Sequence, residues 1–148
     1  ASGIGHMVHA VDEVDTQFLD RLPEGLRPAI TFYHMPVMNF PVEDGAYAAA
    51  IMTRLIQYLN EEDARSLLTR VGAGLASGGK LGLSYNAAEN PLFSQEYAVK
   101  RFIHPISLVH ELVTGAGLEI IYSTRFDEIT FKGKKVPAEA YDIIAAKA

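Results

Sequence analysis

YLNEEDARSLLTRVGAGLASGGKLGLSYN, residues 58–86, decides how the rest of the chain is read. Asn60 is a good helix N-cap, and Glu61, Glu62 and Asp63 crowd the first turn, where the helix dipole favours negative charge. Ala64, Leu67, Leu68, Val71 and Leu75 follow at spacings of three and four, which lays one apolar stripe along a helix. Ser77-Gly78-Gly79 supplies the expected stop. The next residues, KLGLSY from Lys80, read as a buried strand. A helix that runs straight into an apolar strand is half of an alternating α/β unit.

The flanking sequence continues the alternation. Downstream, HPISLVHELVTGAG (104–117) predicts a helix with Pro105 near its start and Gly115 and Gly117 at its end. LEIIYSTRF and AYDIIAAK predict two final strands joined through the Lys132-Gly133-Lys134 turn, with no helix between them, hence an antiparallel hairpin at one sheet edge. Upstream, Val8–Val11 and Ala29–Tyr33 read as strands and Thr16–Leu22 as a helix. Tyr47–Met52 is short and continuously apolar, as expected of a strand buried on both faces. The expectation is one α/β domain over residues 1–148, Rossmann-like, with a mainly parallel sheet and a C-terminal antiparallel hairpin.

Bulk properties narrow the function classes. Charged residues make up 21% of the 148 and hydrophobic ones 49%, which argues for a globular chain rather than a disordered one. The net charge is −5 and the lysines and arginines form no extended cluster, so a phosphate-backbone footprint is absent and nucleic acid is not an expected partner. No apolar run approaches the ~18 residues of a membrane span, so no membrane partner is expected either. There are no cysteines, which removes disulfides, thiolate metal sites and cysteine nucleophiles and fits a cytoplasmic protein. The histidines lack metal-ligand spacing with carboxylates, so no metal is expected.

From Val8 onward the chain resembles the later part of a class I S-adenosylmethionine-dependent methyltransferase. Residues 58–86 are similar to the family's helix of the form "L..eeaR.lL..v...L.pGG.l.is" and the buried strand after it. LVTGAGLEIIYSTRF is similar to the family's "L..aGF.iv" passage, and the closing hairpin is also a family feature. The resemblance implies S-adenosylmethionine as cofactor and a small molecule as methyl acceptor, and it leaves homo-oligomer formation open. It contains no catalytic signature.

Carried over one residue at a time, the resemblance implies that Asp12 or Glu13, ending the family's second strand, holds the ribose hydroxyls. The family's Asp-Ala pair beside the adenine falls on Pro36 and Val37, so the carboxylate is lost and backbone groups with Met35 and Val37 would hold the base. Thr53 and Arg54, after the family's fourth strand, would line the methionine end. Ala1-Ser2-Gly3-Ile4-Gly5-His6 resembles the family's "xSGxGxH" loop, in which Gly3 and Gly5 let backbone approach the cofactor. Residues 1–7 are alternatively the scar of a cloning site ending in His6-Met7.

That loop raises a spacing conflict. In the family it follows a central strand, flanked in the sheet by the second and fourth strands, whereas here only two residues separate Gly5 from Val8. A sheet without its centre leaves backbone groups unpaired at roughly 1–3 kcal/mol each. The expectation is that the missing strand lies in residues absent from this chain, or that a partner or a rearranged sheet fills the gap.

Methyl transfer is mainly a matter of positioning, plus a base where the acceptor must lose a proton. His104, before a helix that borders the acceptor pocket in many relatives of this type, and Tyr85, ending the KLGLSY strand, are the expected bases, with His34 behind them. Two other readings stand beside this one. A non-catalytic methyltransferase-like module acting through protein contact is favoured by the lost acid at Pro36. A nicotinamide-dependent oxidoreductase would use Asp12 in the same ribose role, but the Ser77-Gly78-Gly79 turn and the hairpin count against it.

Overall fold

The structure, a computed structural model, describes residues 6–13, 20, 23–88 and 100–148. The glycine loop with Gly3 and Gly5, and all but Asp20 of the expected helix Thr16–Leu22, lie outside the described residues. The chain divides into two compact units, Ala1–Pro41 and Val42–Ala148.

In the first unit, β1 (Val8–Asp12) pairs in parallel with β2 (Ile30–His34), from Val8 against Ile30 to Asp12 against His34. The Asp12 carbonyl accepts from the Met35 amide at 2.9 Å, and the His34 Nε2 donates to the Glu13 carbonyl at 2.9 Å. The two carboxyl ends are thereby stitched together. A short 3-10 turn at Val37–Asn39 leads to Phe40, which packs edge-on against Tyr33 and His9.

The second unit holds β3 (Tyr47–Thr53), α1 (Glu61–Gly74), β4 (Leu75–Asn86), α2 (Ile106–Gly115), β5 (Leu118–Phe131) and β6 (Lys134–Lys147). Its sheet has the order β3-β4-β6-β5. β3 and β4 are parallel, while β6 is antiparallel to both β4 and β5. The fold is α/β with a mixed sheet, and "mainly parallel" is corrected: among the described residues two pairings are parallel and two antiparallel. The hairpin accounts for the difference, because its return strand inserts beside β4 rather than staying at the edge. The strand that the resemblance places between the second and fourth is not among the described residues.

α1 forms where the sequence says it should. The Asn60 side chain accepts from the Asp63 amide at 2.8 Å, closing the cap. The helix stops at Gly74 rather than at Ser77-Gly78-Gly79, since Leu75 turns extended and is buried against Tyr47 in the sheet. Glycines at 72 and 74 weaken that last turn. The freed carbonyls of Ala73 and Leu75 accept from the Lys147 Nζ at 3.2 and 2.7 Å, a cap delivered from the far end of β6. Gly72 has a second reason to be glycine: a Cβ there would collide with the Ala116 carbonyl at the end of α2.

The core lies on one face of this sheet. Leu81, Leu83 and Tyr85 alternate along β4 with partners Ala145, Ile143 and Tyr141 on β6, all buried. Ala64, Leu67 and Leu68 of α1 and Val109, Leu112 and Val113 of α2 are buried with them. β3 departs from expectation, for Ile51 is 81% exposed. The continuous apolar run therefore does not report burial on both faces.

Candidate functional site

The cross-strand register collects polar side chains in one row. Thr53 of β3 lies beside Ser84 of β4, Ser84 beside Asp142 of β6, and Asp142 beside Thr124 of β5. Residues opposite one another in a sheet share a face, and this is the face opposite Leu83 and Ile143. One pair of residues further back on the same face is an apolar row of Ile51, Gly82, Ile144 and Tyr122. A Cβ on Gly82 would meet nothing within 4 Å, so that floor is open.

At the carboxyl ends of β3 and β4 the polar row opens into a recess of about 200 Å³, lined by Thr53, Arg54, Ser84, Asp142, Phe126 and Ile129 with the strand ends between them. Ligands in open α/β sheets bind outside the carboxyl ends of parallel strands. Arg54 has φ 52°, the left-handed region that a side chain disfavours by about 1–2 kcal/mol. Its amide donates to the Ser84 carbonyl at 2.8 Å, which ties the strained residue to the neighbouring strand. Neither the Arg54 guanidinium nor the Asp142 carboxylate has a hydrogen-bond or ion-pair partner among the described residues. Arg125, on the hairpin, is by contrast held by Asp127 at 2.9 Å and Glu139 at 3.5 Å, with the Asp127 hydrogen bond the main cause raising its pKa.

Of the two expected bases, Tyr85 is among the residues that line the recess and His104 is not. Tyr85 is buried, its hydroxyl donating to the His104 carbonyl at 3.2 Å, and burial foremost, then the Tyr141 and Glu139 charges, pushes its pKa up. His104 is buried too, and its Nε2 faces the Ile56 and Leu59 carbonyls at 3.1 and 2.8 Å, so that nitrogen carries hydrogen and donates. Together with Gln57, whose side chain accepts from the Asn86 amide at 2.9 Å, they lock the loops around the end of β4. This geometry gives both residues a structural task. His34 is spent on the Glu13 carbonyl.

The expected cofactor residues are distributed between the units. Asp12 and Glu13 stand exposed at the end of β1, and Met35 and Val37 are half-buried just past the end of β2. Thr53 and Arg54 stand exposed in the second unit and line the recess. Asp142 and Phe126 went unread in the sequence. One signal was there: Asp142 is the lone acid inside the apolar run AYDIIAAK.

No family model matches the sequence, and no curated protein matches it by sequence. Solved structures do match by fold. A SAM-dependent methyltransferase from Methanosarcina mazei superposes with a TM-score of 0.72 at 18% identity, covering 97% of this chain and 82% of that one. The 1,6-didemethyltoxoflavin-N1-methyltransferase of Burkholderia thailandensis, solved with 1,6-didemethyltoxoflavin and S-adenosylhomocysteine, gives 0.75 at 18% identity over 97% of this chain and 62% of its own. A geranyl diphosphate methyltransferase in complex with SAM gives 0.74 at 14% identity over 97% and 70%. The chain has the class I S-adenosylmethionine-dependent methyltransferase fold.

Proposed function

We propose that the protein transfers a methyl group from S-adenosylmethionine to a small-molecule acceptor. The observation that carries this reading is the recess at the carboxyl ends of β3 and β4, where a strained Arg54 and a row of unspent polar groups stand at the place this fold uses for ligands. Two of the matched methyltransferases, by their descriptions, act on small molecules.

The residues present suit the cofactor in part. Exposed carboxylates at the end of a strand parallel to its neighbour are fitting acceptors for two adjacent ribose hydroxyls, and Asp12 and Glu13 are so placed. Met35 and Val37 would offer apolar contact to the adenine, with Pro36 in place of an acid. Thr53 and Arg54 would stand beside the methionine end. Gly3 and Gly5 would bring backbone close, if they act as the glycine loop. When bound, the cofactor supplies an electrophilic methyl group; the chain's part is to hold the acceptor in line with it and to keep both oriented.

Calorimetric titration with S-adenosylhomocysteine tests the reading. Saturable binding is expected, weakened tenfold or more in Asp12→Ala or Glu13→Ala, in line with the ~1.5–3 kcal/mol of a hydrogen bond to a charged group. Absence of binding by the folded protein contradicts it. That result would favour the non-catalytic module, a reading supported by the structural use of Tyr85 and His104.

A further inference from the structure

We infer that the recess beside Arg54 is a site for a small zwitterion, an amino acid with an apolar side chain, and that this class of molecule is the acceptor. Two charges of opposite sign, Arg54 and Asp142, line one recess without pairing with each other or with any other described residue. A cation and an anion left apart on the same rim suit a ligand that carries both charges itself. Its carboxylate meets the Arg54 guanidinium, whose planar fork matches it, and its ammonium meets the Asp142 carboxylate. The hydroxyls of Thr53 and Ser84, in the same row, offer further hydrogen bonds to the charged head.

The remaining wall is apolar. Phe126 and Ile129 of the β5–β6 hairpin close the side away from β3, and the Phe126 ring is 42% exposed. Such a wall takes the ligand's side chain, with an aromatic one suited to the ring. Size points the same way. At about 200 Å³ the recess is below the usual ~300–1,000 Å³ of ligand clefts, which suits a molecule of amino-acid size. The left-handed backbone at Arg54 is local strain at the end of β3, of the kind that gathers at ligand sites.

The identity of the occupant as acceptor rests on the methyl-transfer reading, since it places the recess beside the cofactor's methionine end; the zwitterion site itself does not. Proton–nitrogen correlation spectra of the labelled protein, titrated with L-phenylalanine, phenethylamine and 3-phenylpropionate, test it. L-phenylalanine is expected to move the Thr53, Ser84 and Ala140 amide resonances saturably. Arg54→Gln is expected to weaken L-phenylalanine and 3-phenylpropionate tenfold or more while sparing phenethylamine, and Asp142→Asn to do the reverse. No saturable shift with any of the three, or equal losses for all three ligands in both variants, overturns the site. Both substitutions are at exposed positions, and an unchanged spectrum elsewhere establishes that the variants are folded.

Competition separates the two claims. L-phenylalanine and S-adenosylhomocysteine are expected to bind together. If S-adenosylhomocysteine displaces the amino acid, the recess is the seat of the cofactor's own amino-acid end and the acceptor assignment is wrong. If L-phenylalanine binds and S-adenosylhomocysteine does not, the zwitterion site stands and the methyl-transfer reading fails.

Discussion

On one face of the four-stranded sheet, Leu83 and Ile143 lie side by side and are 2% and 1% exposed. On the other, a single step along the same strands, Ile144 is 39% exposed, Ile51 on β3 is 81% exposed and Gly82 between them has open space where a side chain would stand. Both faces are apolar near the middle of the sheet. Only the first carries α1 and α2, and only the second runs out into unspent polar groups at its carboxyl end. Hydrophobicity alone therefore does not tell the two apart, whereas the helices that follow β3 and β4 do. The covered face carries the stability of this unit, and the proposed site lies at the carboxyl end of the other.

Substitutions that should break this contrast come first. Leu83→Ala removes a fully packed side chain and is expected to cost about 2–5 kcal/mol in urea unfolding. Gly72→Ala forces a methyl group into the Ala116 carbonyl where α1 meets α2, with an expected loss of about 1–3 kcal/mol. Equal stability of either variant and the parent would mean that the helix-covered face is not the core.

Smaller effects sharpen the picture. Asn60→Ala should lose ~1 kcal/mol with the cap. Tyr85 makes stability depend on alkaline pH. Its pKa is raised on folding, so its contribution is complete below its ordinary value of 10.0 and declines as pH rises beyond that. Tyr141, raised chiefly by burial and then by Glu139, adds in the same direction. Unfolding midpoints should accordingly fall above about pH 10, and Tyr85→Phe should make the fall shallower while losing ~1 kcal/mol at neutral pH with its hydrogen bond. Smallest of all, Ile51→Thr on the open face should change stability by no more than ~0.5 kcal/mol.

Local signals were legible in the sequence. The Asn60 cap, the Leu67-Leu68 stripe and the Pro105 helix start depend on neighbours within a few positions, and each appears where its spacing puts it. What depends on distant partners was not legible. Tyr85 and His104 look like bases when read alone, and the sequence does not show that one donates to a carbonyl 19 residues away and the other to one 48 away. The place of β6 between β4 and β5 is likewise set by long-range pairing, and so is the row that unites Thr53, Ser84 and Asp142. Tyr47–Met52 misled for a related reason: an apolar run reports the tendency to be covered, and Ile51 is not covered in this structure.

Hydrogen–deuterium exchange of the whole protein with and without S-adenosylhomocysteine tests the division of labour most directly. The expected result is new protection at the carboxyl ends of β1 and β3, around Asp12 and Thr53-Arg54, with no change in the already protected α1 and α2. Unaltered exchange at those strand ends under saturating S-adenosylhomocysteine would contradict the proposed ligand role of these residues.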